Sequence, residues 1–179
     1  MQVLSAGSAP GFAIIEQATM ESTLIGEWHD FLVAQAGASA ALTGLIFVGV
    51  SINLERILKF PHLPTRALEA ILTLLCVLLI STWGLVPNQS CRVLGVETLA
   101  TGLVTWAVQT RALLSTRHSG YETRLRVLLN QLPPLPFVVA GALLVLNQPS
   151  GLYWIVPGVV LSLISGLYCA WILLVEIQR

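Results

Sequence analysis

The sequence predicts an all-α integral membrane bundle of five transmembrane helices, and three observations carry that reading. Hydrophobic residues make up 55% of the 179-residue chain and charged residues only 10%, where a typical soluble domain has about 25% charged. Mean hydropathy is +0.81. The apolar residues fall in runs of about 20, the length a helix needs to cross a hydrocarbon core. A chain this short and this apolar lacks the polar surface to cover itself in water, so the lipid bilayer acts as part of its solvent.

The five runs cover 31–54, 67–86, 93–114, 127–146 and 152–175. The first carries no charge. The second has Glu69 near its start, and the third contains Glu97 and ends around Arg111. The fourth is interrupted by Pro133, Pro134 and Pro136. Breakers and charges collect between the runs, as KFPHLP (59–64), PNQSC (87–91), TRHSGYETRLR (116–126) and NQPSG (147–151). Long, unalternating runs exclude barrel strands, which need only about ten alternating residues. Residues 31–179 therefore read as one membrane domain.

Lys and Arg placement orients the spans. Arg56, Lys59 and Arg66 lie between runs one and two; Arg111, Arg117, Arg124 and Arg126 lie between runs three and four; Arg179 closes the chain. The other side holds only Arg92. The expected topology places the N-terminus outside and the C-terminus in the cytoplasm, which requires an odd number of spans. Trp28, Trp83, Tyr153 and Trp154 fall at the expected outer ends, and Phe60, Tyr121 and Trp171 near the inner ends, where amphipathic rings prefer to sit.

Residues 1–30 read as an extracytoplasmic segment. They contain no Lys or Arg, so the basic stretch of a secretory signal is missing. Residues 1–19 look like a Gly/Ser/Ala-rich lead-in, with Met20 a candidate start of the patterned chain. The stretch 14–28 has the spacing of a short interfacial helix or forms part of a tail.

Three runs carry polar or small residues in patterns. In the first, Gly37 with Ala41 and Ala40 with Gly44 are small-xxx-small pairs, which let helix backbones approach closely in lipid. That places the helix at the centre of the protomer or at an oligomer interface. Gln35, Ser39 and Thr43 recur every four residues, either as a packing stripe or as a face lining a water-filled path. In the third run Glu97, Thr101, Thr105 and Gln109 recur at the same spacing. An ionised carboxylate inside a span costs roughly 3 kcal/mol unless paired or wetted, which makes Glu97 a candidate functional residue. The plain alternative is a protonated Glu97, or one bonded to Gln35 or paired with Arg92. Glu69, beside Arg66, is expected in a solvated ion pair. In the fourth run Pro134 and Pro136 withhold the donors that carbonyls near Asn130 and Leu132 need. Asn130, Gln131 and Pro134 thus form a candidate broken-helix site; the simpler reading is a short helix that starts after the prolines.

Other classes lack support. Net charge is zero, which gives no reason to expect nucleic acid. Cys76, Cys91 and Cys169 form no CxxC pair, and His29, His62 and His118 share no metal-ligand spacing. No metal site or cofactor is expected. The chain has no P-loop, GxGxxG or GxSxG, so no catalytic residue and no enzyme activity are expected. Arg117, Arg124 and Arg126 either bind anionic headgroups or only set topology.

The segment SAALTGLIFVGVSINL (39–54), together with LISTWGLVPN (79–88), resembles the first two membrane helices of Orai calcium channels over roughly fifty residues. The positions matching the Orai selectivity glutamate and the upstream basic pore residue are Ile52 and Gly37, so no functional residue is carried over. The whole chain is similar in type to small multi-spanning bacterial inner-membrane proteins, some of which modulate a membrane protease. That likeness implies a bacterial inner-membrane location. The expected function is a homo-oligomeric assembly, an ion channel or small-solute pathway, because so short a chain makes a pore most easily by ring symmetry. The alternative is a non-catalytic regulatory or scaffolding subunit of another membrane complex.

Overall fold

The computed structural model describes residues 26–59, 63–115, 127 and 130–178. Among the described residues six helices form in order: α1 (His29–Ile52), α2 (Leu54–Leu58), α3 (Leu63–Gly84), α4 (Cys91–Ser115), α5 (Pro134–Val145) and α6 (Gly151–Gln178). No strand occurs among the described residues. Among the described residues four helices are long and apolar enough to cross a membrane: His29–Ile52, Leu63–Gly84, Cys91–Leu114 and Gly151–Ile172. Their outward faces carry large apolar side chains, including Leu45, Phe47, Ile52, Val104 and Leu114. Such a surface is at home in lipid and not in water, so the chain has the build of a membrane protein.

The fourth expected span is not one continuous helix. Residues 130–131 are helical, the chain turns at Leu132 and Pro133, and α5 then runs for 12 residues. That is about 18 Å at 1.5 Å per residue, against roughly 30 Å of hydrocarbon. The reason is local. Pro133 caps α5 with φ −62° and ψ −39°, and Pro134 occupies the first helical position, where a missing N–H costs nothing. The same prolines cannot donate to the carbonyls of the turn before them.

Helices α3, α4, α5 and α6 pack in a ring, each on its neighbour, and α1 leans on the outer side of α3. Glycines set the closest approaches. A Cβ on Gly95 would lie 2.7 Å from the Val145 backbone nitrogen, and one on Gly141 2.5 Å from that of Leu99. Helices α4 and α5 therefore touch backbone to backbone. Gly158 opens space in α6 for the Phe137 ring, and Gly84 in α3 for Leu32 of α1. The main core gathers Val77, Ile80, Leu94, Phe137, Leu144 and Ile155.

Helix α1 is peripheral. Leu32, Ser39 and Ile46 are its buried residues, and they face α3. The first expectation for this helix, a place at the centre of the protomer, is therefore corrected: one side of α1 packs and the other is open. Asn53 ends it, donating from Nδ2 to the Gly49 carbonyl at 3.0 Å, and α2 follows inside the expected loop. At the other end of α1, Trp28 sits edge-on to Phe31 and to Tyr153, with centroids 5.7 and 5.1 Å apart. This ties the start of α1 to the start of α6. The start codon candidate, the interfacial segment before Gly26, the 116–126 arginines, His62 and His118 all lie outside the described residues.

Candidate functional site: a polar seam between α3 and α4

The polar stripe of α4 winds from the rim into the interior. Its first member, Glu97, is half-buried. The connection from α3 holds Asn88 at φ 56° and then lets Ser90 cap α4, with its Oγ accepting from the Val93 N–H at 3.4 Å and its carbonyl accepting from the Leu94 N–H at 3.1 Å. That cap brings Gln89 over the first turns, where its Nε2 donates to Glu97 Oε2. Neither partner expected for Glu97 is used. Arg92 turns aside and donates from Nε to Asn147 Oδ1 at 3.0 Å. Gln35 belongs to α1, which packs chiefly on α3.

One turn deeper, Thr101 donates to the Glu97 carbonyl at 2.7 Å. Thr105 is buried and faces Cys76 across the seam. Gln109 is fully buried, and its Nε2 donates to Thr73 Oγ1 at 2.8 Å. Thr73 in turn donates to the Glu69 carbonyl at 2.8 Å. Gln109 Oε1 has no partner. The four-residue spacing drifts around a 3.6-residue helix, which is why the stripe moves from half-buried at Glu97 to sealed at Gln109.

Glu69 corrects a second expectation. It is 2% exposed, so it is sealed from solvent and not held in a solvated pair. The reason is the wrapping of α3 by α1, α4 and α6, which seals the helix nearly to its first turn.

The broken-helix residues lie beside the seam. Gln131 Oε1 accepts from Trp106 Nε1 and, at 3.3 Å, from Thr110 Oγ1. Its Nε2 also lies within donating distance of Thr110 Oγ1, at 3.2 Å. Asn130 is buried, and its Nδ2 has no partner. Pro134 opens α5 just beyond.

On α1 the polar stripe and the small residues part company. Ser39 Oγ donates to the Gln35 carbonyl at 2.6 Å and Thr43 Oγ1 to the Ser39 carbonyl at 2.7 Å, all on the α3 side. Gly37, Ala40, Ala41 and Gly44 are exposed on the opposite side, and nothing lies within 4 Å of a Cβ built on Gly37 or Gly44. The structure thus joins Thr105 and Gln109 to α3 residues that the sequence did not single out, Cys76 and Thr73. It keeps the α1 and α4 stripes apart.

Among the described residues no three His, Cys, Asp or Glu side chains come together as a metal-ligand set. No family model, no curated protein and no solved structure matches this chain.

Proposed function

We propose that this chain is a five-span membrane subunit, N-terminus outside and C-terminus in the cytoplasm of a bacterial inner membrane, that assembles with copies of itself into a channel or small-solute pathway. In this reading α5 and the turn before it together make the fourth crossing. The carrying observation is the open face of α1. Gly37, Ala40, Ala41 and Gly44 leave a shallow strip of near-bare backbone, while the other exposed faces carry Leu, Val, Trp and Tyr. Lipid tails gain little from such a strip, whereas a second helix gains close van der Waals packing. The absence of charge between residues 31 and 54 suits an α1–α1 contact. The polar groups of the α3–α4 seam, from Glu97 to Gln109, are the groups along which a small polar species would move.

The test is the size of the purified protein in native-like lipid, followed by flux into liposomes with and without Glu97→Gln. An oligomer with flux that falls in the variant supports the reading. A monomer removes the assembly. An oligomer whose flux is the same in both proteins removes Glu97 from the path. Stable capture of a different membrane protein on α1, without flux, favours the scaffolding subunit instead.

A further inference from the structure

We propose that α2 is an interfacial foot that seats on anionic phospholipid headgroups, at the end of the bundle where α1 passes into α3. This inference rests on one protomer and stands apart from the assembly reading. The first support is position. Helix α1 has 24 residues, about 36 Å at 1.5 Å per residue, against roughly 30 Å of hydrocarbon. Leu32 of α1 meets Gly84 of α3, and Ile46 and Val50 cluster with Ala70 and Ala67. The two helices therefore run antiparallel, and α2 joins them where α1 leaves the hydrocarbon.

The second support is how α2 is held. Asn53 breaks α1, and its carbonyl accepts from the N–H groups of Arg56 and Ile57, both at 3.0 Å. Ile57 is 1% exposed and packs with Leu63 and Ala67 at the start of α3. That contact fixes the rotation of the short helix. At 3.6 residues per turn, Leu54 and Leu58 then share one face, and Arg56 and Lys59 fall on the far arc. Leu54 is 49% and Leu58 65% exposed, and Ile52 just before them is 77% exposed. Arg56 and Lys59 are exposed as well.

The third support is the match to a charged interface. Apolar side chains on one arc and basic ones on the other suit a helix at the boundary of acyl chains and headgroups. The long stems of Arg and Lys let the cationic tips reach phosphate while the leucines stay in lipid. Charge selects the headgroup. Residues 53–66 carry Arg56, Lys59 and Arg66 against one acid, Glu55. The other end of the bundle has the reverse balance, with Glu27 and Asp30 against Arg92. A basic residue near an anionic surface gains about 1 kcal/mol. The single net positive charge of Glu55, Arg56 and Lys59 therefore favours an anionic lipid over a zwitterionic one on the order of fivefold.

The test uses the full chain in bilayers, with Cys169→Ala to remove the half-buried thiol and a bimane label on Leu58→Cys. Quenching is compared for spin-labelled phosphatidylglycerol and spin-labelled phosphatidylcholine with the same acyl chains. Phosphatidylglycerol should associate beside the label on the order of fivefold more strongly at low salt. The double change Arg56→Gln and Lys59→Gln should remove that preference. Salt at about 1 M, which screens exposed charges, should remove it too, without any change at the basic residues. A label at Leu103, on the exposed surface of α4, should be quenched by both lipids alike, which also reports that each variant is seated in the bilayer. Equal quenching of the Leu58 label by both lipids, or a preference that survives the double change or the salt, overturns the proposal. A Leu58 label that neither lipid quenches overturns it as well, and points to a protein partner on α2.

Discussion

Gln109 on α4 donates its Nε2 hydrogen to Thr73 Oγ1 on α3 at 2.8 Å, with both residues buried. This bond pins two helices whose shared surface is otherwise modest. Interhelical hydrogen bonds in membranes contribute about 0.6 kcal/mol on average and up to roughly 1.7. Removing one partner alone costs more, because the other stays buried and unmade. Thr73→Val keeps shape and removes the acceptor. It should destabilise the protomer by about 1–2 kcal/mol, lowering Tm in mild detergent by about 2–8 °C. An unchanged melting curve would show that the bond contributes nothing.

The glycines divide into two kinds, and substitution should separate them by sign. Gly141→Ala places a methyl 2.5 Å from the Leu99 backbone, which cannot move aside like a side-chain tip. Overpacking of this kind costs about 1–3 kcal/mol. Gly44→Ala meets open space and gains helix propensity of up to roughly 1 kcal/mol. Thermal unfolding of the monodisperse protomer should therefore fall for Gly141→Ala and hold or rise for Gly44→Ala. The reverse order would overturn the assignment of α4–α5 as the tight seam.

Much of the fold is legible in the sequence, for physical reasons that are easy to name. Runs of about 20 mostly apolar residues leave a helix as the simplest way to satisfy the backbone in lipid, and α1, α3, α4 and α6 follow. The start of α5 follows from Pro134, whose missing N–H costs nothing at the first helical position. The site is less legible. Small residues in α1 and small residues in α4 and α5 look alike in a sequence, yet Gly95 and Gly141 pack while Gly37 and Gly44 do not. Thr73 and Cys76 carry no pattern of their own; they matter because the register of α3 against α4 places them opposite Gln109 and Thr105. Glu97 stands out by its charge inside an apolar run. Its partner Gln89 depends on a left-handed turn at Asn88, which no spacing reveals.

The Gln89–Glu97 contact gives a third prediction. Gln89 supplies the donor to the one acid that begins the α4 stripe. On the pathway reading, Glu97→Gln should reduce cation flux into proteoliposomes on the order of tenfold, the equivalent of about 1.4 kcal/mol. Gln89→Leu should reduce it in the same direction and by less, since the carboxylate remains. Flux that is indifferent to both changes would leave the stripe a packing feature.

Assembly through α1 requires its open face to meet a second copy of the chain. Ala41 lies near the middle of that face, and the native cysteines include Cys76 and Cys91, which are buried. Oxidative crosslinking of Ala41→Cys in native membranes measures the contact directly. A covalent dimer is expected at Ala41→Cys and not in the parent chain or with a cysteine placed at Leu103, on the exposed surface of α4. A chain that stays monomeric at Ala41→Cys would contradict that assembly.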